Sequence, residues 1–176
     1  MSTPFTLRAA EPRDVPAIVG LITELAEFEN LTHLLKVTPD KLHPQLFGAR
    51  PAAEAVVVEA VGEGAGEVAG EVAGEVIGFA LFFTNFSTFL AQPGLYLEDL
   101  YVKPARRGQG IGEALLTHLA RLAVQRDYGR FEWSVLDWNE NAIRFYRRMG
   151  ATVMTEWHIC RVAGEALQSF GSAAPR

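Results

Sequence analysis

Apolar residues recur at Ile18, Leu21, Ile22, Leu25 and Phe28, in steps of three and four. That stripe predicts an amphipathic helix over residues 15–28. The turn Glu11-Pro12-Arg13-Asp14 precedes it, with Asp14 placed to cap the helix, and residues 5–8 before the turn read as a short strand. A second helical piece is expected near residues 38–47, and the β-branched run over 55–60 is a strand. Further strands are expected over 75–83 and 95–102. Leu115, Leu116, Leu119, Leu122 and Ala123 then form the apolar face of a long helix that Gly129 brings to an end. Phe131, Trp133 and Val135 alternate with polar neighbours and predict another strand. Asn139 caps a short helix with Ala142, Phe145, Tyr146 and Met149 on its apolar side and Gly150 just past its end. Residues 157–162 read as a last strand, with Cys160 packed inertly in it, and 169–176 as a frayed tail.

Three copies of a four-residue unit, AGEV, interrupt this pattern over residues 65–76. The period is far too short for a solenoid. Glycine is unfavourable inside strands and readily accommodated in loops, so residues 62–75 are expected to form an extended, mobile hairpin loop of ambiguous register. The chain of 176 residues is long enough for one domain, taken as 1–168, and for a core that needs no disulfide or metal. A single cysteine excludes an internal disulfide, and with it comes the expectation of a reducing, cytoplasmic setting. The four histidines show no paired spacing, so no metal site is expected. The net charge of −5 disfavours generic nucleic-acid binding and leans towards cationic partners. No apolar run is long enough to span a membrane.

Two places carry chemistry. The turn Arg107-Gly108-Gln109-Gly110-Ile111-Gly112, between a strand and a helix, lets backbone N–H groups converge on a phosphate at the positive end of the helix dipole. The dinucleotide pattern fails because Glu113 stands where its third glycine belongs, and no Gly-Lys-Ser/Thr completes a P-loop. The strand LYLEDLYV holds Glu98 and Asp99, residue types depleted in strands. Strand periodicity sends these neighbours to opposite faces unless a bulge intervenes.

Arg107-x-x-Gly110-x-Gly112 in this strand–turn–helix setting resembles the acetyl-CoA loop of the GCN5-related N-acetyltransferase (GNAT) superfamily. Leu7-Arg8-x-Ala10-x-x-x-Asp14, Asn139 and Tyr146 agree with it, and the resemblance covers residues 5–168. Tyr96-Leu97-Glu98-Asp99 and Leu25-Ala26-Glu27-Phe28-Glu29 are similar to the spermidine/spermine N-acetyltransferase group. Ser87-Thr88-Phe89, residues 135–139 and Trp157-His158 are closer to its thialysine N-epsilon-acetyltransferase branch. The chain departs from both branches in its glycine-glutamate loop and in a shorter connection between Gly150 and Trp157.

The resemblance implies an α/β fold with a central mixed, mostly antiparallel twisted sheet flanked by helices. It also implies acetyl-CoA as co-substrate, a small amine as acceptor, and a homodimer. Leu100, Tyr101, Val102, Arg107, Gly108, Gln109, Gly110, Ile111, Gly112, Glu113, Asn139 and Ala142 would then bind acetyl-CoA, with the main chain of Leu100 and Tyr101 holding its pantetheine. Phe28, Glu29, Glu98 and Asp99 would meet the amine.

An amine of pKa about 10.4 is neutral in roughly one molecule in a thousand near pH 7.4, so a base is needed. Glu98 is the candidate base and Tyr146 the candidate acid for the departing thiolate. The Val102 N–H would polarise the acetyl carbonyl. Polyamines are the alternative substrates. A non-catalytic acyl-CoA-binding module, or an enzyme acting on protein amines, would use the same loop.

Overall fold

The computed structural model of the protein describes residues 5–61, 66–68 and 71–172. The chain divides into two compact units, Met1–Ser134 and Val135–Arg176. The first unit contains β1 (Phe5–Ala9), α1 (Val15–Phe28), α2 (Pro39–Phe47), β2 (Glu54–Ala60), β3 (Gly66–Val68), β4 (Glu71–Ala73), β5 (Val76–Ser87), β6 (Gln92–Val102), α3 (Ile111–Gln125) and β7 (Phe131–Trp133). Five strands form one sheet in the order β1-β2-β5-β6-β7, antiparallel except for the parallel pair β6–β7. This is the mixed, mostly antiparallel sheet flanked by helices expected from the sequence.

The sheet buries both faces, which explains the nearly continuous apolar runs in β2 and β5. Strand periodicity sends Val57, Phe79 and Leu81 to one face, where they pack with Val15, Ile18 and Leu21 of α1 and Leu42 and Leu46 of α2. It sends Val56, Val58, Ala80 and Phe82 to the other face, towards α3. There Ile111, Leu115, Leu116, Leu119 and Ala123 are buried, as the spacing of their apolar side chains predicts.

Asp14 sits immediately before α1 but does not cap it with its side chain. Its carboxylate is instead gripped by Arg8 at 2.6 and 2.8 Å and by the Glu11 N–H at 2.7 Å. Arg8 also donates to Glu59 at 2.6 Å, which ties β1, β2 and the start of α1 together. Asp14 is 4% exposed, and burial alone would raise its pKa; the bonds from Arg8 and Glu11 outweigh that and lower it.

The glycine-glutamate repeat departs from a plain loop. Gly66–Val68 of the first copy pairs as β3 with Glu71–Ala73, β4, which ends the second copy and enters the third, with Glu67 opposite Val72. An antiparallel pair satisfies backbone groups that a loop would leave to water. Residues 62–65 and 69–70 of the expected mobile loop lie outside the described residues.

The second unit contains α4 (Glu140–Arg148) and α5 (Gly164–Ser172). Two expectations are corrected in it. Residues 157–162 form no strand and Cys160 is exposed, not packed, because β-branched alternation makes a strand only where a partner edge offers a ladder. The expected frayed tail is helical as far as Ser172, with Leu167 and Phe170 at helical spacing. The strand expected over residues 131–136 is likewise short, ending at Trp133. Among the described residues no helix is long and apolar enough to cross a membrane.

Leu115 is fully buried on the sheet-facing side of α3. Leu115→Ala is expected to cost about 2–5 kcal/mol of unfolding free energy, read from urea denaturation of the purified protein.

Candidate active site

The site grows out of β6. Asp99 pairs with Leu81, but the next pair along is Leu97 with Phe82, so Glu98 is an extra residue in a β-bulge. The bulge changes which face each side chain takes. Tyr101 lies on the α1 face of the sheet, and Asp99, two residues away, shares it. Leu95 and Leu97, on the far side of the bulge, turn to the opposite face and are buried. Glu98 stands between the two registers and is exposed. The pair of adjacent carboxylates, irreconcilable in a regular strand, is thus brought to one place.

Asp99 is half-buried, and its pKa is pushed up to about 6 by burial first, then by the negative charges of Glu98 and Glu29. Glu29 follows the last residue of α1, and burial raises its pKa too. Three carboxylates therefore share one corner of the first unit. On the same face as Asp99, burial first and then the neighbouring Glu24 raise the pKa of the Tyr101 hydroxyl. Glu24 was not singled out from the sequence. Its spacing of four from Phe28 on one helix face is the signal that was available.

Arg107 joins this corner to the glycine turn. Its guanidinium lies 5.2 Å from the centre of the Phe28 ring and 5.3 Å from that of Tyr101, and its Nε donates to the Val102 carbonyl at 3.0 Å. Gly108 and Gly110 follow, with φ of +76° and +80°, in the left-handed region where only glycine sits without strain. A Cβ at either would meet nothing within 4 Å, so the space before these amides is open. Gly110 begins α3, and the N–H groups of Ile111, Gly112 and Glu113 are the first of that helix, with no acceptor inside it. An open cradle of amides at the positive end of a fifteen-residue helix fits a pyrophosphate.

The main chain of β6 supplies the rest. Lys103 donates its N–H to Ile77 at 3.0 Å, which fixes the alternation of the ladder. The peptide groups of Tyr101 face β5, while those of Leu100 and Val102 face the opposite edge. On that edge β7 pairs only alongside Leu95, Tyr96 and Leu97, so β6 is left unpaired by β7 from the bulge onwards. Leu100 thus presents a strand-like donor and acceptor to a ligand and Val102 its N–H, while the Val102 carbonyl is held by Arg107. The Tyr101 peptide is engaged in the sheet.

Asn139, Ala142 and Tyr146 belong to the second unit. The Asn139 side-chain oxygen Oδ1 accepts from the Ala142 N–H at 3.2 Å and caps α4, as its sequence position predicts. Tyr146 lies two turns along α4, its ring 5.5 Å from that of Phe145. Gly150, with φ of +93°, follows the helix end. The first unit therefore gathers Phe28, Glu29, Glu98, Asp99, Leu100, Tyr101, Val102 and the turn from Arg107 to Glu113, and the second holds Asn139, Ala142 and Tyr146 together on one helix.

Residues 28–151 match the family described as Acetyltransferase (GNAT) family. The chain is 37% identical to an L-ornithine N5-acetyltransferase of Arabidopsis thaliana, over 93% of this chain and 86% of that one. It is 36% identical to a thialysine N-epsilon-acetyltransferase of Sus scrofa, over 93% and 95% of the two chains. Among solved structures, an integron cassette protein from the mobile metagenome of V. cholerae shares the fold with a TM-score of 0.76 at 22% identity, covering 98% of this chain and 99% of that one.

The raised pKa of Asp99 carries a sign for stability. A carboxyl group that holds its proton more tightly in the folded state destabilises the fold above its folded pKa, about 6 here, and not below its unfolded value of 3.8. Asp99→Asn is therefore expected to raise the melting temperature by several degrees at pH 7.5 and to leave it near the wild-type value at pH 4, measured by thermal denaturation.

Proposed function

The chain belongs to the acetyltransferase (GNAT) family and is an N-acetyltransferase, and we propose that its acceptor is the side-chain amine of a small diamino acid, thialysine- or lysine-like. The observation that carries this is the corner formed by Glu29, Glu98 and Asp99, in which burial first and then the charges of Glu98 and Glu29 push the pKa of the Asp99 carboxyl up to about 6. Such a field attracts a substrate with cationic ends. The relatives named for ornithine and thialysine support the same class. Polyamines are the second reading, favoured by the same negative field and by a 31% identical human spermidine/spermine N(1)-acetyltransferase-like protein 1.

Acetyl-CoA supplies the acetyl thioester. The amides from Gly108 to Glu113 would hold its pyrophosphate, with Arg107 opening that turn. The main chain of Leu100 would hold the pantetheine, and Asn139 and Ala142 are the proposed cofactor-binding residues of the second unit. Glu29 and Asp99 hold the cationic amine beside Phe28. Glu98, exposed at the bulge, takes the proton from the attacking nitrogen. The Val102 N–H, on the edge of β6 that β7 leaves unpaired, donates to the acetyl oxygen as negative charge gathers there. The Tyr146 hydroxyl gives a proton to the leaving sulfur.

A thialysine amine has a sulfur two carbons away that withdraws electrons and lowers its pKa. More of it is neutral at a given pH, and less is asked of Glu98. The test is release of CoA thiol from acetyl-CoA in the presence of thialysine, lysine, ornithine, spermidine, spermine, putrescine or a peptide amine. Thialysine is expected to give the highest kcat/KM. A higher value for spermidine or spermine would favour the second reading, and thiol release with none of them would refute the substrate class. Glu98→Gln is expected to lower kcat/KM by about 10²–10³, most at low pH. Tyr146→Phe is expected to lower kcat by a similar factor while the KM for acetyl-CoA stays within about twofold. Unchanged turnover in Tyr146→Phe would remove the acid role.

A further inference from the structure

We infer that Arg107 is a positioning residue that couples the cofactor turn to the amine-binding wall, so that CoA and amine strengthen each other's binding. The inference rests on the acetyl-transfer reading of the site and concerns how its two halves communicate.

The C-terminal end of α1 is a soft element. Phe28 is 43% exposed, and the helix runs out through Glu29 into Asn30, which has a left-handed φ of +58° that costs energy for a residue with a side chain. Apolar packing alone does not fix where the Glu29 carboxylate stands. Arg107 is the brace. One face of contact is the Phe28 ring on α1, another is the Tyr101 ring on β6, and the Nε–H is anchored to the Val102 carbonyl. Arginine suits this role because a planar, weakly hydrated guanidinium can meet aromatic rings and still direct a hydrogen bond in its plane.

The backbone of Arg107 is itself set by the ligand cradle. Its N–H is bonded to the Pro104 carbonyl at 3.2 Å, and Gly108, at φ of +76°, follows directly. A phosphate seated on the amides from Gly108 onwards therefore restricts the residue that carries the guanidinium. The guanidinium in turn restricts Phe28, and Phe28 is bonded to Glu29. On the other branch Tyr101 is two residues from Asp99. Both carboxylates on the α1 face of the site are thus one or two residues from a ring that Arg107 touches. A contiguous chain of contacts of this kind can carry coupling between two ligands, and coupling is reciprocal.

The experiment is calorimetric titration of thialysine into the full-length protein, with and without saturating CoA, which lacks the acetyl group and prevents turnover. Wild-type protein is expected to bind thialysine roughly five- to thirty-fold more tightly when CoA is present, the scale of two cation–π contacts. Arg107→Gln is expected to bring that ratio within twofold of one, and Arg107→Lys to restore part of it. Phe28→Leu keeps the guanidinium and its bond to Val102 but removes the α1 ring. It is expected to lower the ratio while CoA alone binds as tightly as to wild type, and it serves as the test if Arg107→Gln is unstable. In steady state, Arg107→Gln should raise the KM for the amine more than it lowers kcat at saturation of both substrates.

A wild-type ratio near one, or an Arg107→Gln ratio equal to wild type, would overturn the inference even while thiol release from acetyl-CoA proceeds normally. Absence of thiol release with every amine would instead overturn the function on which it rests.

Discussion

The extra residue in β6 is the constraint on which the arrangement depends. Without the bulge, the side chains of residues 95, 97, 99 and 101 would all fall on the face of the sheet that packs against α1. Leu95 and Leu97 would leave the face they fill opposite α3, where both are buried. Glu98 would share the α3 face with Leu100 and Val102 and drive a carboxylate towards an apolar core, at a cost of several kcal/mol unless it were neutralised. One inserted residue resolves both conflicts. The strand packs leucines on one side of the bulge, presents Asp99 and Tyr101 to the other face beyond it, and leaves Glu98 exposed between. The core and the site are parts of one strand, and the bulge marks where one gives way to the other.

The same stretch sets the electrostatics. A carboxylate in β6 half-buried beside two others holds its proton up to about pH 6, and such a group is unfavourable for folding at neutral pH. The Arg8–Asp14–Glu59 cluster shows what the fold does with carboxylates that serve structure. There two acids meet one guanidinium at 2.6 Å each, and the buried one has its pKa lowered. At the corner of Glu29, Glu98 and Asp99 the charges acting on Asp99 are those of acids and not of a cation, and the raised pKa of Asp99 falls back when a cationic ligand arrives. The contrast within one sheet separates a carboxylate that braces the chain from one that waits for a ligand.

Much of this was legible in the chain. The stripe of Ile18, Leu21 and Leu25 gave α1 its bounds, because packing against a sheet demands a 3.6-residue period and the sequence supplies it without interruption. The left-handed glycines and the cap of α4 by Asn139 were readable because each is a local rule, satisfied within a few residues. What was not legible depended on partners distant in sequence. Residues 157–162 have the composition of a strand but no ladder, and residues 66–68 and 71–73 have the composition of a loop but pair with each other. The identity of Glu98 as the bulged residue follows from Phe82 and Leu81 on the neighbouring strand, which no property of LYLEDLYV reveals. The stacking of Arg107 on Phe28 was hidden for the same reason: the two residues are far apart in the chain and meet only because α1 crosses the end of β6.

The short β7 completes the logic. It pairs with β6 only alongside Leu95, Tyr96 and Leu97, on the core side of the bulge. Beyond the bulge the ladder on that edge stops, and the peptide groups of Leu100 and Val102 are left to other partners. An unpaired strand edge is ordinarily a liability, since it invites pairing with another chain. Here the open stretch is short, the glycine turn follows within a few residues, and the first amides of α3 come directly after it. A long ligand with amide groups at one end and phosphates at the other can satisfy the strand edge and the helix end in one pass. The bulge that re-aims Glu98 and Asp99 is also the point at which β6 parts from β7. The edge that would hold such a ligand and the carboxylates that would meet its acceptor therefore begin at the same residue.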